Sequence, residues 1–241
     1  IMDFHFSTLK FYIRFEEDGQ IPQYKTSAFR GGMGQMLLRM FCVQPDMCRR
    51  DCRECLCKKQ CIVQGIMYAR FPQKPVYVTD VESAGFSMSC MDERTQVSKG
   101  DIVEVDIILH SGMVAYFYPI LQALYMLGME GLGKEHVKFS IVKVNNRHDE
   151  TIVSGYDIDT NNIQVEKCSD YINERRNELG ACEHGIKLSF MSPCSIKYQS
   201  EFIKEFSPIS VIRAVERRIH MMELFDGADT EETHIDSLPT G

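Results

Sequence analysis

The sequence predicts an α+β protein, because apolar residues alternate with polar ones at period two in some stretches and recur every three or four residues in others. The two kinds of stretch follow one another as strand, helix, strands, helix, strand, and the order then starts again. Length is the third observation: 241 residues bury a core without disulfide staples and leave room for two units. A hydrophobic share of 44% and a charged share of 25% are those of a folded globular chain. We read no window as the ~18 to 20 apolar residues that cross a bilayer. The start, Ile1-Met2-Asp3-Phe4, has no basic stretch leading into an apolar run. The expectation is a cytoplasmic protein with no membrane partner.

Phe4 to Phe15 (FHFSTLKFYIRF) alternates as a half-buried strand does. After Glu17-Asp18-Gly19 and Pro22, Ser27 is placed to cap a helix with Phe29, Met33, Met36, Leu37 and Met40 on one face. Tyr24 and Lys25 before it read as ordinary loop residues. Pro72, Pro75 and Gly85 punctuate shorter extended pieces such as Val76-Tyr77-Val78. Ile102 to Leu109 is apolar enough for a central strand, and His110 ends it. A helix follows from about Met113 to Leu127, with Pro119 either kinking it or sitting in the first turn of a later start, and Gly128 ends it. Val137 to Val144 alternates again as a strand.

The order repeats from Ile186. Ile186 to Lys197 reads as a strand pair or bent strand, and Ser207-Pro208 as the cap and first turn of a helix carrying Ile212, Val215, Ile219 and Met222. The expectation is tandem ferredoxin-like domains, the second incomplete. Residues 1–145 would form the first, with a Cys-rich insertion at 42–71. Residues 146–185 would connect it to the first half of a second domain and an acidic tail at 186–241, completed by further chain or by a partner.

Six of the ten cysteines, Cys42, Cys48, Cys52, Cys55, Cys57 and Cys61, fall in one short stretch. Thiolates that converge on a metal come from such a loop, often with a C-x2-C pair, here Cys52 and Cys55. Arg49, Arg50, Arg53, Lys58 and Lys59 surround them, which lowers thiol pKa values and offers contacts to phosphate. Structural zinc is the preferred cofactor and an iron–sulfur cluster the alternative.

A net charge of −7 opposes nucleic-acid binding, but six acids and no Lys or Arg lie between Met222 and Gly241, so the rest of the chain is close to neutral. Arg30, Gly31 and Gly32 fall at the expected start of the first helix, where backbone N–H groups and a guanidinium would meet a phosphate; close helix packing explains the glycines equally well. Gly131-Leu132-Gly133-Lys134-Glu135-His136 reads as a loop able to lie against RNA, or as a plain helix-to-strand turn.

Arg30-Gly31-Gly32-x-Gly34, the cysteine-rich insertion ending near Tyr68 and Phe71, and Gly131-Leu132-Gly133-Lys134 together resemble the RAMP-superfamily endoribonucleases that process CRISPR precursor RNA, in a cysteine-containing branch. The likeness spans most of residues 4–225. It implies two ferredoxin-like domains, a ligand set of Cys42, Cys52, Cys55 and Cys61, and CRISPR repeat RNA as partner, with other subunits of a CRISPR ribonucleoprotein beside it. It implies RNA contacts at Arg30, Gly31, Gly32 and Lys134. The chemistry implied is metal-independent: a 2′-hydroxyl attacks the adjacent phosphate and leaves a cyclic phosphate. Relatives keep a catalytic His shortly after the first helix; this region holds cysteines, so His136, beside a candidate RNA-facing loop, is the candidate acid or base. Two rival readings are a non-catalytic guide-RNA-binding subunit and a zinc-stabilised structural or redox-sensing module with no RNA role.

Overall fold

The structure, a computed structural model, describes residues 4–43, 52, 55–68, 85–180, 187–190, 194–198 and 201–226. Strand β1, His5–Phe15, organises it. Its odd positions Leu9, Phe11, Ile13 and Phe15 are fully buried, while Lys10, Tyr12 and Arg14 point to the other face, as period-two alternation dictates. On one side β1 pairs antiparallel with β5, Ile102–His110, with Phe6 opposite His110. On the other it pairs antiparallel with β6, Phe139–Asn145, with Phe15 opposite Phe139. A short β3, Phe86–Ser89, adds to the far side of β5, while β2, Gly19–Gln20, and β4, Gln96–Val97, pair as a separate two-stranded sheet. The strands run β3-β5-β1-β6, so β1 and β3, which follow one another around a helix, are held apart by β5.

Helix α1, Lys25–Phe41, joins β1 to the insertion and buries Phe29, Met33, Met36 and Leu37 on the odd face of the sheet. It starts two residues before the expected Ser27, with Tyr24 as N-cap and no side-chain cap bond. A short α2, Ile62–Met67, follows the cysteines. Helix α3, Phe117–Glu130, connects β5 to β6 and lies beside α1. Pro119 sits in its first turn, where its missing N–H costs nothing. Gly128 lies inside this helix, and Gly131 at φ 98° caps it. Contrary to the sequence expectation, the stretch Ser111–Glu130 is long and apolar enough to cross a bilayer. Its Phe117, Ile120, Leu121, Leu124 and Leu127 are instead buried in the core shared with α1 and the sheet.

Residues 146–167, expected to be a connection, extend the same sheet. β7, Thr151–Ser154, pairs with β6, and β8, Asp157–Ile158, pairs with β7. β9, Glu166–Lys167, pairs with the start of β1. Helix α4, Cys168–Leu179, follows, tied down by Arg147, whose guanidinium bonds Glu166 and Glu174 and lies 5.1 Å over the ring of Tyr171. The last helix, α5, Pro208–Phe225, has Ser207 as N-cap and Pro208 at its first position, as predicted. Ile219 and Met222 of its expected apolar face meet Phe4, Phe6 and Cys168 on the even face of the sheet, whereas Ile212 and Val215 stay half-exposed. Of the expected strand at 186–197, the described part contains only Lys197–Tyr198, paired with Glu201–Phe202. Val76-Tyr77-Val78, Phe71, Cys48, Arg49, Arg50, Arg53 and the tail from 227 lie outside the described residues.

The molecule is thus an α+β protein with a mostly antiparallel sheet and, among the described residues, five α-helices.

Candidate functional site

Where β5 ends, the chain turns sharply. Ser111 takes a left-handed φ of 52°, a strained setting for a residue with a Cβ, and opens a 3₁₀ stretch that runs into α3. Around this turn lies a cavity of about 340 Å³. His110, Ser111, Gly112 and Tyr116 form one wall, and Lys59 and Cys61 of the cysteine segment form the other. Among the described residues, no carboxylate lines it.

His110 faces the even side of the sheet and is only 4% exposed. Its Nε2 lies 3.0 Å from Ser87 Oγ on β3, and its ring stands edge-on to Phe4. Nδ1 of His110 and Oγ of Ser111 are both buried with no hydrogen-bond partner among the described residues. Such orphans are rare in a settled core, because each forfeits its hydration. Burial pushes the His110 pKa down to about 4, and the Arg218 charge acts in the same direction, so the ring is neutral at pH 7.

Arg218 comes from α5. Burial, and then the charge of Arg30, lowers its pKa from the ordinary value, though a guanidinium remains charged at neutral pH. Arg30 projects from α1 with its guanidinium carbon 5.5 Å from the centre of the Phe86 ring. Arg218 is thus within electrostatic reach of both Arg30 and His110.

The other predicted residues are placed differently. Gly31 and Gly32 lie in the second turn of α1, where the N–H groups are already spent in the helix ladder; only the first four are unpaired. The expectation that they open the helix is therefore corrected. A Cβ on Gly32 would stand 2.5 Å from Leu127, so that glycine serves close packing of α1 on α3, while Gly31 faces open space. Lys134 and His136 sit on a tight turn closed by mutual backbone bonds between Leu132 and Val137. That turn precedes Phe139, opposite Phe15, whereas His110 lies opposite Phe6. Nine strand steps at ~3.3 Å separate them, roughly 30 Å. His136 is thus not part of the cavity.

Lys25, expected to be an ordinary loop residue, begins α1 with a fully buried side chain. Its Nζ donates to the carbonyls of Asp92 (2.8 Å) and Arg94 (2.6 Å) and lies 3.1 Å from Asp92 Oδ1. Burial opposes ionisation of Asp92, but bonds from Arg94 and Lys25 outweigh it and hold the carboxyl below its usual range. This is a structural clamp.

In the described part of the cysteine segment, Cys55 N–H donates to the Cys52 carbonyl and Lys58 N–H to that of Cys55. The buried Gln64 amide also donates to the Cys52 carbonyl. A C-x2-C pair suits one edge of a zinc site. Among the described residues, however, no three Cys, His, Asp or Glu side chains converge on a common point, so the set Cys42, Cys52, Cys55 and Cys61 is not assembled there. A single sequence signal marked the cavity, the polar pair His110-Ser111 breaking an apolar run; Arg218 had none, because only folding brings α5 to β5.

Residues 4–167 match a family described as an N-terminal domain. The match closes at β9, just before α4. No curated protein matches the chain.

Proposed function

We propose that this chain, which belongs to the AF_1859_N family, is a RAMP-type RNA-binding protein that cuts repeat-containing CRISPR precursor RNA by metal-independent acid–base chemistry. The observation that carries the reading is the buried, neutral His110, whose Nδ1 has no partner among the described residues, beside a cavity lined by Lys59 and, among the described residues, by no carboxylate. The strand order β3-β5-β1-β6, with α1 and α3 on one face, supports a ferredoxin-like first domain. The pairing of strand and helix from Lys197 to Phe225 supports the start of a second.

In this reading the 2′-hydroxyl of the RNA gives its proton to His110 Nδ1 as its oxygen bonds to the adjacent phosphorus. The bond to the 5′-oxygen breaks as Tyr116 donates its own phenolic proton to that leaving group. His110 replaces His136 in the catalytic role. A bound phosphate raises the His110 pKa from about 4, because a nearby anion favours the imidazolium, so the ring becomes a better base once RNA is seated. Zinc at the cysteine segment is a structural element of the proposal and takes no part in the reaction.

Full-length protein incubated with repeat RNA in chelator is expected to give one cut with a 2′,3′-cyclic phosphate end. His110→Ala abolishes the cut and His136→Ala leaves it. Uncut but bound RNA would replace the enzyme reading with that of a non-catalytic guide-RNA-binding subunit in a larger ribonucleoprotein.

A further inference from the structure

We infer that the outer face of α3 is a docking surface for a second copy of this chain, with the two helices packed antiparallel across a twofold axis. The inference is independent of the proposed cleavage, because it uses the face of α3 turned away from the core.

The stretch from Ser111 to Met129 holds no Asp, Glu, Lys or Arg. One face of α3 is spent on the core, and the other is left to Tyr118, Gln122, Tyr125, Met126 and Met129. The solvent face of a helix ordinarily carries charged side chains, and here it carries none before Glu130. Tyr118 is 51% exposed, Met129 63% and Tyr156 104%. Tyr156 stands between β7 and β8 beside this stripe, where the Tyr125 hydroxyl donates to the Gly155 carbonyl at 3.4 Å. The exposed tyrosine and methionine side chains together offer roughly 500 Å², and with Gln122 they approach the ~600 Å² per partner at which specific interfaces begin.

The spacing selects the occupant. Tyr118, Gln122, Tyr125 and Met129 follow one another at intervals of four, three and four, the alternation of a helix that packs along another helix. Turned antiparallel about a point between Ala123 and Leu124, the stripe is its own complement. Tyr118 then meets Met129 of the other copy, a ring against a thioether, and Gln122 meets Tyr125 of the other copy, an amide against a phenol. A single polar position in such a seam fixes its register. The same arrangement carries Glu130, held at the rim by Arg39 at 3.0 Å, toward the first turn of the other α3, which has no acidic residue of its own. A twofold axis requires this kind of self-complementary patch. Tyr116, the N-cap of α3, also lines the cavity at the end of β5, so the pairing sets two cavities at opposite ends of a seam about 20 Å long.

Sedimentation velocity of the full chain over a range of concentrations tests the pairing, and a monomer–dimer equilibrium is expected. Tyr118→Lys and Met129→Glu, each alone, should raise the dissociation constant roughly tenfold or more, because each sets two unpaired charges into the seam. The two changes together should restore the dimer. On one helix the two positions lie roughly 16 Å apart, too far to pair within a copy, yet they face each other across the seam. Both side chains are exposed in the single chain, so melting of dilute, dissociated variants within a few degrees of wild type separates association from folding. A wild type that stays monomeric at every concentration would overturn the inference, and so would a dimer that ignores both single variants. Loss in each single variant without recovery in the double variant would overturn the antiparallel pairing. A monomeric wild type that floats with neutral phospholipid vesicles, and single variants that do not, would assign the stripe to a membrane surface and overturn the second copy.

Discussion

His110 ties stability to pH in a direction opposite to that of a paired histidine. Its folded pKa of about 4 lies below the unfolded value near 6.5, so between these values the unfolded chain binds more protons and stability rises with pH. The contribution is complete above pH 6.5 and is lost as pH falls toward 4, to a total of about 3 kcal/mol. Urea midpoints at pH 7 and pH 5 should differ by more in the wild type than in His110→Phe; equal differences would remove His110 as the cause. Lys25 makes a second residue-scale case. Lys25→Met leaves two loop carbonyls and a mostly buried carboxylate without their shared donor, and should cost about 3 kcal/mol. A melting temperature within a few degrees of wild type would show that water takes over the clamp. Neither role could be read in the sequence, where a lysine after a turn and a histidine at a strand end look commonplace; burial is what gives each its energy.

At the scale of elements, the two adjacent glycines of α1 give opposite expectations. Gly31 is exposed with nothing within 4 Å of a Cβ, so Gly31→Ala should stabilise by about 0.5–1 kcal/mol through helix propensity alone. At Gly32 a Cβ meets Leu127 carbons at 2.5 and 2.8 Å, so Gly32→Ala should destabilise by about 1–3 kcal/mol as α1 and α3 are wedged apart. Denaturant unfolding of the two single variants decides this, and equal signs would refute the packing role. Elements with a strong period were legible in the sequence: β1, β5, the buried face of α1 and the Ser207-Pro208 start of α5 lie where pattern and capping put them. The start of α1 was not, because Lys25 enters the helix for a tertiary reason, the carbonyls of Asp92 and Arg94, rather than a capping one. β9 escaped detection since two residues carry no period; its partner is the start of β1, far away in sequence. The cavity was the least legible feature, because its walls come from the cysteine segment, a strand end and a turn that only the fold brings together.

In the whole molecule, β1 is the wall between two cores of unequal size. Its odd face carries the large core under α1 and α3, while its even face shares a small cluster of Phe4, Phe6, Cys168 and Met222 with α4 and α5. A second tie, His5 Nδ1 to Asp226 Oδ2 at 2.7 Å, binds the start of β1 to the end of α5, so the first of the acids counted with the tail to be described beyond α5 is a structural partner. A helix held by so small a cluster opens locally at a lower free energy than the sheet it covers. Met222→Asp places an unpaired charge among Phe4 and Phe6, and hydrogen exchange should show α5 losing protection while β1 and β5 keep theirs. Arg218 leaves with the helix, and the cover over His110 opens. With burial and the neighbouring guanidinium both reduced, the His110 pKa should climb from about 4 toward its ordinary value, which a proton NMR titration of the imidazole reads directly. Loss of protection in β1 and α5 together would instead make the chain one cooperative unit. A His110 pKa still near 4 after α5 has opened would mean that the sheet alone, through Ser87 and Phe4, keeps the ring dry.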